Sequence, residues 1–213
     1  MTPQQKNLVT LGGLLVAVGG LGLYAYFGVM KPSETEIELK ASDEKLFRAY
    51  APGTQSEDGG EPADPVFTGL TLRTKGETTR LEKRRDGWWV VAPVQAKAEQ
   101  FAVDTLTSQL RSGKFKRVVE EHPTDADLAR YGLKAPAFSV SAQAYLPDPS
   151  GGDKDDPSRK REVTLQGGIE NTFDGSVYLR REGDPKVYSV EGGVRLALEK
   201  TSFDLRDKEV LSL

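Results

Sequence analysis

His122 is the only histidine in this 213-residue sequence, and it is the one side chain suited to act as a general base near neutral pH. It follows Glu120 and Glu121 and precedes Pro123, where the pattern predicts a loop between a strand and a helix. No nucleophile motif of the Ser–His–acid or Cys–His kind accompanies it. We therefore interpret His122 as an exposed loop residue and predict a protein that is not an enzyme, with a cryptic hydrolase as the third alternative.

The carboxylates form neither a catalytic pair nor a metal site that the sequence identifies. Neighbouring side chains on a strand point to opposite faces, which excludes Glu120 and Glu121 as a glycosidase pair. Asp153, Asp155 and Asp156 have the composition of a calcium loop, but the glycine and glutamate that such a loop needs at its sixth and twelfth positions are missing. Because the chain has no cysteine and a single histidine, thiolate zinc sites, iron–sulfur clusters and disulfides are excluded. We predict no metal and no cofactor.

Two adjacent indoles, Trp88 and Trp89, follow a basic run that contains Arg84 and Arg85. On a strand, one ring should enter the core and the other should face solvent. An exposed indole beside arginines is typical of protein contact surfaces, so all four residues are candidate partner contacts. The basic runs also leave open a module that binds an envelope polysaccharide or lipid, although ordinary solvated surface is the simpler interpretation of such runs. The net charge of −3 argues against nucleic acid as a partner.

A segment of 23 residues, from Leu8 to Met30, contains no charged side chain. As a helix it would be about 35 Å long, enough to cross a hydrocarbon layer of about 30 Å. A cleaved secretory signal is the main alternative, but its apolar run is shorter and ends at a small-x-small site, whereas this one ends with the bulky run YAYF. We predict an uncleaved transmembrane helix over 8–30, with residues 1–7 on the cytoplasmic side.

The charges that flank this helix favour an orientation with the N terminus inside. Lys6 lies in a short, purely positive N-terminal flank, whereas the opposite flank soon becomes acidic, at Glu34. We therefore expect a single-pass protein of the cytoplasmic (inner) membrane with an exported C-terminal domain. Within the helix, Gly13, Ala17 and Gly20 form a stripe of small residues that would let another helix approach closely, although glycine is also frequent in membrane helices for other reasons. Bilayer lipid and integral membrane proteins are the expected partners.

Residues 31–66 are predicted to be a tether. Glutamates alternate with other residues from Glu34 to Leu39, which is consistent with a short strand or an extended stalk. The stretch from Thr54 to Pro65 is acidic, rich in glycine and proline, and without an apolar period, so it is expected to be a flexible loop. We place the start of the folded domain at residue 67.

From residue 67 to residue 213 the patterns indicate an α+β domain with a mainly antiparallel sheet and a few short helices. Asp86-Gly87 marks one hairpin turn and Gly183-Asp184-Pro185 another. Between residues 138 and 146 apolar and polar side chains alternate, as on a half-buried strand. A capping box over 124–127 predicts a brief helix. A longer helix that ends at Gly113 is predicted by apolar residues at three- and four-residue steps: Val103, Leu106 and Leu110.

Several of these elements come in an order that resembles a bacterial family known as domain of unknown function 4340. The resemblance runs from about Gly69 to Leu213 and is most specific at Tyr-Gly-Leu-x-x-Pro over 131–136 and at the closing Asp-Leu-Arg-Asp-Lys over 204–208. The other matching pieces are Trp88-Trp89-x-x-x-Pro93, Ala98-Glu99, Val177-Tyr178 and Val187-Tyr188.

The resemblance implies a role rather than an active site. Members of the family look like single-pass envelope proteins, often near components of ABC-type export systems of the kind linked to gliding motility. The resemblance therefore implies an accessory or docking subunit of such a complex. No catalytic or ligand residues are established for the family, and none is carried over. Many members continue beyond the Asp-Leu-Arg-Asp-Lys element into a second similar module, whereas this sequence stops at Leu213, so either one module suffices or a partner supplies the remaining surface.

Overall fold

The computed structural model describes residues 44–48, 64–147 and 156–208, which belong to one compact unit spanning Ser42 to Leu213. The helix predicted over 8–30, with its stripe of Gly13, Ala17 and Gly20, lies outside the described residues. Among the helices within the three described ranges, none has the length and apolar character needed to cross a membrane.

The described residues form a sheet of nine strands: β1 (Val66–Thr74), β2 (Glu77–Arg84), β3 (Gly87–Ala92), β4 (Ala96–Lys97), β5 (Arg117–Glu120), β6 (Phe138–Tyr145), β7 (Lys160–Glu170), β8 (Val177–Arg181) and β9 (Val187–Val190). Their order in the sheet is β4-β3-β2-β1-β6-β7-β8-β9-β5, and all neighbouring strands are antiparallel. The helices are α1 (Gln100–Ser112), α2 (Asp125–Arg130), α3 (Gly192–Leu198) and α4 (Ser202–Leu205), with a 3-10 turn at Pro157–Arg159. The predicted antiparallel sheet with short helices is confirmed.

The sheet has an apolar face and a polar face because its strands alternate. Leu72 of β1 lies opposite Val140 of β6, and both side chains are fully buried. Intervening residues point to the other face, where the hydroxyl oxygens of Ser141 and Thr164 are 2.7 Å apart. The apolar face shares one core with α1, whose buried residues are Val103, Leu106, Thr107 and Leu110. The predicted apolar stripe of this helix is therefore the stripe that it buries.

Local hydrogen bonds and packing define the helix ends. At the start of α2 the predicted capping box is present: Thr124 N donates to Asp127 Oδ2 at 2.9 Å, and Asp127 N donates to Thr124 Oγ1 at 3.3 Å. The first helix ends at Gly113 as predicted, but this glycine has φ −64°, which any residue can adopt. A Cβ there would overlap the Gln109 carbonyl oxygen and Leu46 Cδ1. Close packing, rather than a left-handed turn, therefore requires the glycine.

A short segment that precedes the predicted domain is part of the core. Glu44–Arg48, which we call the strap, lies within the stretch predicted to be a tether. It pairs with the chain that follows α1, where Phe115 N donates to Glu44 O at 2.7 Å. Leu46 and Phe47 are 0% and 2% exposed and belong to the main hydrophobic cluster. The folded unit therefore begins before residue 67, because two large apolar side chains of the strap complete its core.

A buried polar cluster holds the strap against the β8–β9 hairpin. Tyr188 Oη donates to Asp184 Oδ2 at 2.7 Å, and the guanidinium of Arg181 donates to the Lys45 carbonyl oxygen. The Arg48 guanidinium lies 3.9 Å from the Asp184 carboxylate. Burial, together with the hydrogen bond to Asp184, raises the pKa of the Tyr188 phenol well above its ordinary value, so the phenol remains a donor at neutral pH. The cluster thereby joins the strap to a hairpin that is distant in sequence.

Candidate docking site

The tandem indoles divide between the core and the surface, as strand geometry predicts. Trp88 is only 5% exposed and belongs to the hydrophobic core, so it offers no surface to a partner. Trp89 is half-buried on the opposite face of β3. Its indole Nε1 donates to the Asp86 carboxylate at 3.2 Å, and the Arg84 guanidinium lies 5.0 Å from its ring centroid. Arg85 is exposed beside them. The structure therefore brings Trp89 and Arg84 together and removes Trp88 from the candidate contacts.

The residues considered for catalysis and metal binding do not assemble into a site within the described chain. His122 is exposed in the turn between β5 and α2, and Glu121 lies 3.6 Å from Lys186 in an exposed ion pair. Asp156 accepts a hydrogen bond from Ser158 N at 2.8 Å and so begins the 3-10 turn, whereas Asp153 and Asp155 lie outside the described residues. Across residues 44–48, 64–147 and 156–208, no group of three or more carboxylate or histidine side chains could hold a metal ion.

The most exposed large apolar side chain of the described residues is Phe173, in the loop between β7 and β8. The residue is 98% exposed, so its side chain is almost entirely in contact with water. The other exposed large apolar side chains are Val66, Val94, Phe101, Val118, Ile169, Leu196 and Phe203. Single exposed apolar residues are common on proteins, and Phe173 requires an explanation because the loop that carries it is ordered.

Hydrogen bonds within the loop fix the backbone around Phe173. Asn171 N donates to Ser176 O at 2.7 Å, and Gly175 N donates to Asn171 O at 2.9 Å. Side chains of the loop accept two further hydrogen bonds. Phe173 N donates to Asn171 Oδ1 at 3.1 Å, and the Ser176 hydroxyl donates to Asp174 Oδ1 at 2.6 Å. The bonds from Ser176 hold the pKa of the Asp174 carboxyl below its ordinary value. Phe173 is therefore presented to solvent by a preorganised turn.

A groove of about 620 Å³ lies beside this loop and contains a second exposed apolar side chain, Leu196 of α3. The groove is lined by Lys75, Glu170, Gly175, Gly192, Arg195, Leu196 and Glu199. A Cβ on Gly192 would come within 2.8 Å of the Gly175 carbonyl oxygen, so the start of α3 packs closely on the loop. We call Phe173, Leu196 and this groove the Phe173 site.

Arg195 lies in the groove between two carboxylates. Its Nε donates to Glu199 Oε2 at 2.6 Å, one helical turn further along the chain, and its Nη1 donates to Glu170 Oε2 at 3.5 Å, at the end of β7. These bonds orient the guanidinium, and they leave one cation shared by two anions. The groove lining therefore combines two cations and two carboxylates with one large apolar side chain, Leu196.

Lys116, which precedes β5, is the second cation that is shared in this way. Its Nζ lies 3.2 Å from Glu191 Oε1 and 3.6 Å from Asp174 Oδ2. The hydrogen bond and charge of Glu191, followed by those of Asp174, raise the pKa of the Lys116 ammonium. Because Asp174 is also part of the ordered turn, Lys116 links the loop that carries Phe173 to the strand at the edge of the sheet.

Sequence reasoning did not identify Phe173 or Leu196 as candidate contacts. The one local signal is the stretch Asn171-Thr-Phe-Asp-Gly-Ser176, in which an aromatic residue stands between turn-forming residues. Such a stretch predicts a tight turn, but the exposure of the ring depends on whether another element packs over it. In the described chain none covers it.

A family model described as domain of unknown function (DUF4340) matches residues 88–213. No curated protein and no solved structure matches the chain. The match confirms the family resemblance that the sequence motifs indicate. It begins in β3 and includes Phe173 and Leu196, whereas the strap and the first two strands lie before it.

Proposed function

The chain belongs to the DUF4340 family, and on that premise we propose that it is a non-enzymatic docking protein that binds protein partners through the Phe173 site. The observation that carries the proposal is the almost complete exposure of a phenylalanine on an ordered turn. Phenylalanine, like the other aromatic residues, is enriched in the buried centre of protein interfaces.

The energetics favour such a role for Phe173. Burial of a fully exposed phenylalanine stabilises a complex by about 1.5–3 kcal/mol. A flexible loop would lose part of this gain through ordering on binding, but the bonds between Asn171 and Ser176 already fix the turn. Leu196, 72% exposed, lines the groove that borders the same loop at Glu170 and Gly175 and offers a second apolar side chain to a partner.

The setting that we propose for this docking surface is the cell envelope. Residues 8–30 would anchor the protein as a single transmembrane helix in the cytoplasmic membrane, with the N terminus inside and the domain outside. The family resemblance adds the expectation of an accessory subunit of an ABC-type transport complex, of the kind linked to gliding motility. Integral membrane proteins are accordingly the proposed partners.

The test is affinity purification from mild detergent extracts, with the recovered integral membrane proteins quantified for three forms of the full chain. We expect the Phe173→Ser variant to lose the partners that the unmodified chain recovers. Phe101→Ser is the matched control, because Phe101 is 78% exposed on α1 and its replacement removes a similar area of exposed ring. The proposal is contradicted if Phe173→Ser recovers as much of the partner proteins as the unmodified chain does. It is also contradicted if all three forms are recovered without any partner protein.

A further inference from the structure

We infer that the partner surface that receives Phe173 is an apolar pocket bordered by lysine or arginine side chains, and that it belongs to a protein rather than to the lipid bilayer. This inference rests on the proposed function and names the chemistry of the partner at the same site. Its basis is the charge that surrounds the exposed ring.

Carboxylates outnumber cations around the Phe173 site. The loop itself, from Glu170 to Ser176, carries two carboxylates and no cation. Including the groove and the neighbouring ion pairs, the carboxylates are Glu170, Asp174, Glu191 and Glu199, and the cations are Lys75, Lys116 and Arg195. Arg195 and Lys116 are each shared by two of the carboxylates, and with Lys75 included the set has a net formal charge of −1.

This arrangement is the reverse of what a lipid-binding aromatic residue requires. Surfaces that insert aromatic side chains into the headgroup layer surround them with lysine and arginine, because anionic lipids attract cations and repel carboxylates. The same domain shows that combination elsewhere: the ring of Phe203 has Lys208 Nζ at 4.4 Å and the Arg206 guanidinium at 5.1 Å from its centroid. Phe173, flanked by Glu170 and Asp174, instead fits a cationic protein surface.

Basic residues around the partner pocket would orient the partner and raise the rate of association, whereas the apolar contact holds the complex together. Opposite charges at the rim of an interface mainly accelerate encounter and reject incorrect partners, and salt screens them. The buried ring would supply most of the affinity. Binding should therefore require Phe173 and, in addition, weaken when the charge around it is reversed.

The chain has no cysteine, so a single engineered thiol reports directly on this surface. Thr172→Cys places the thiol at an exposed position beside Phe173 and leaves the ring in place. The readout is the rate at which the full-length variant reacts with a bulky maleimide, first in membrane fragments from the native organism and then after purification in a detergent that removes bound proteins. The same rate is measured in vesicles of phosphatidylcholine alone and of phosphatidylcholine with phosphatidylglycerol.

Three further variants of the Thr172→Cys protein separate the contributions of the ring and the charge. Phe173→Ser removes the ring, and the double change Glu170→Lys with Glu191→Lys reverses the charge around it. The matched charge control is Glu82→Lys with Glu162→Lys, two exposed glutamates of β2 and β7 away from the loop. Equal urea midpoints for all variants establish that each one is folded.

We expect the thiol to react about tenfold more slowly in native membranes than in detergent, which corresponds to about 1.4 kcal/mol of protection. Protection should be lost with Phe173→Ser and should decrease with the charge reversal around it. It should persist with the control pair and be absent in both vesicles. Protection that requires Phe173 but survives the charge reversal overturns this inference and leaves the proposed function standing. Protection in either vesicle shows a lipid partner and overturns both the inference and the proposed function, which names protein partners. Protection that does not depend on Phe173, or no protection in native membranes, overturns the proposed function itself.

Discussion

Replacement of Phe47 by alanine tests whether the strap is part of the cooperative fold. Phe47 is 2% exposed, and its ring packs edge-on against Phe67 of β1, with centroids 5.1 Å apart and an interplanar angle of 81°. The neighbouring Leu46 is buried in the same cluster. The substitution therefore empties a core position that is filled only because the strap, which lies before the predicted domain, folds back onto the sheet.

The expected loss of stability follows from that burial. Replacement of a buried phenylalanine by alanine destabilises proteins by about 3–5 kcal/mol, since the lost transfer free energy and the new cavity both contribute. The edge-on contact with Phe67 places Phe47 in the middle of this range, at about 4 kcal/mol. Val118→Ala is the matched control, because Val118 is 42% exposed on β5 and an exposed substitution changes stability by less than about 0.5 kcal/mol.

Urea unfolding monitored by tryptophan fluorescence, to which the buried Trp88 contributes, provides the measurement. With a slope of about 2 kcal/mol per molar urea, a loss of about 4 kcal/mol lowers the midpoint by about 2 M. The slope itself should stay the same, since the surface exposed on unfolding hardly changes. A midpoint for Phe47→Ala that matches that of Val118→Ala would refute the reasoning, because the strap would then detach from the core at no cost to the fold.

Two further predictions concern the sheet and the loop. Gly167→Ala should lower the urea midpoint by an amount equivalent to about 1–3 kcal/mol, because a Cβ on this β7 residue would overlap the Phe138 ring. Gly193→Ala is the control: the space around Gly193 is open, so the midpoint should stay nearly unchanged. The second prediction is a pH dependence of hydrogen exchange at the Ser176 amide, which donates to Asp174. Because these bonds lower the folded-state pKa of Asp174, they stabilise the loop above the unfolded pKa of about 3.9 and lose that effect as pH falls through the folded value. The exchange rate, corrected for its intrinsic pH dependence, should therefore be constant from neutral pH to about pH 4 and rise below it. In Asp174→Ala the corrected rate should be high at every pH. A wild-type rate that stays constant at low pH as well would contradict the role assigned to Asp174.

Much of the sheet follows from short-range patterns. Alternation over 138–146 predicts the strand observed as β6, because a period of two places all apolar side chains on one face whatever strand lies beside it. Asp86-Gly87 and Gly183-Asp184-Pro185 likewise mark turns that need no distant contact, and the structure has β2–β3 and β8–β9 hairpins there. The capping box of α2 is equally local.

Such short-range patterns could not predict that the strap is buried. Leu46 and Phe47 form a two-residue apolar island, too short for any periodicity, and an acidic stretch rich in glycine and proline separates them from the first strand. Their burial depends on contacts with residues far along the chain, such as Gly113, where only a glycine leaves room for Leu46. The same holds for the site, because a turn around Phe173 is visible in the sequence and the absence of a covering element is not.

Periodicity and turn chemistry therefore predict strands such as β6 with their apolar face, the turns of two hairpins, and that one of two adjacent indoles enters the core. The assembled domain alone decides that Trp88 is the buried indole, that the strap completes the core, and that Phe173 remains in water while the leucines of β1 do not. The reason is physical: steric and hydrogen-bonding preferences act between neighbours in the chain, whereas the exposure of a side chain depends on which distant segments pack over it.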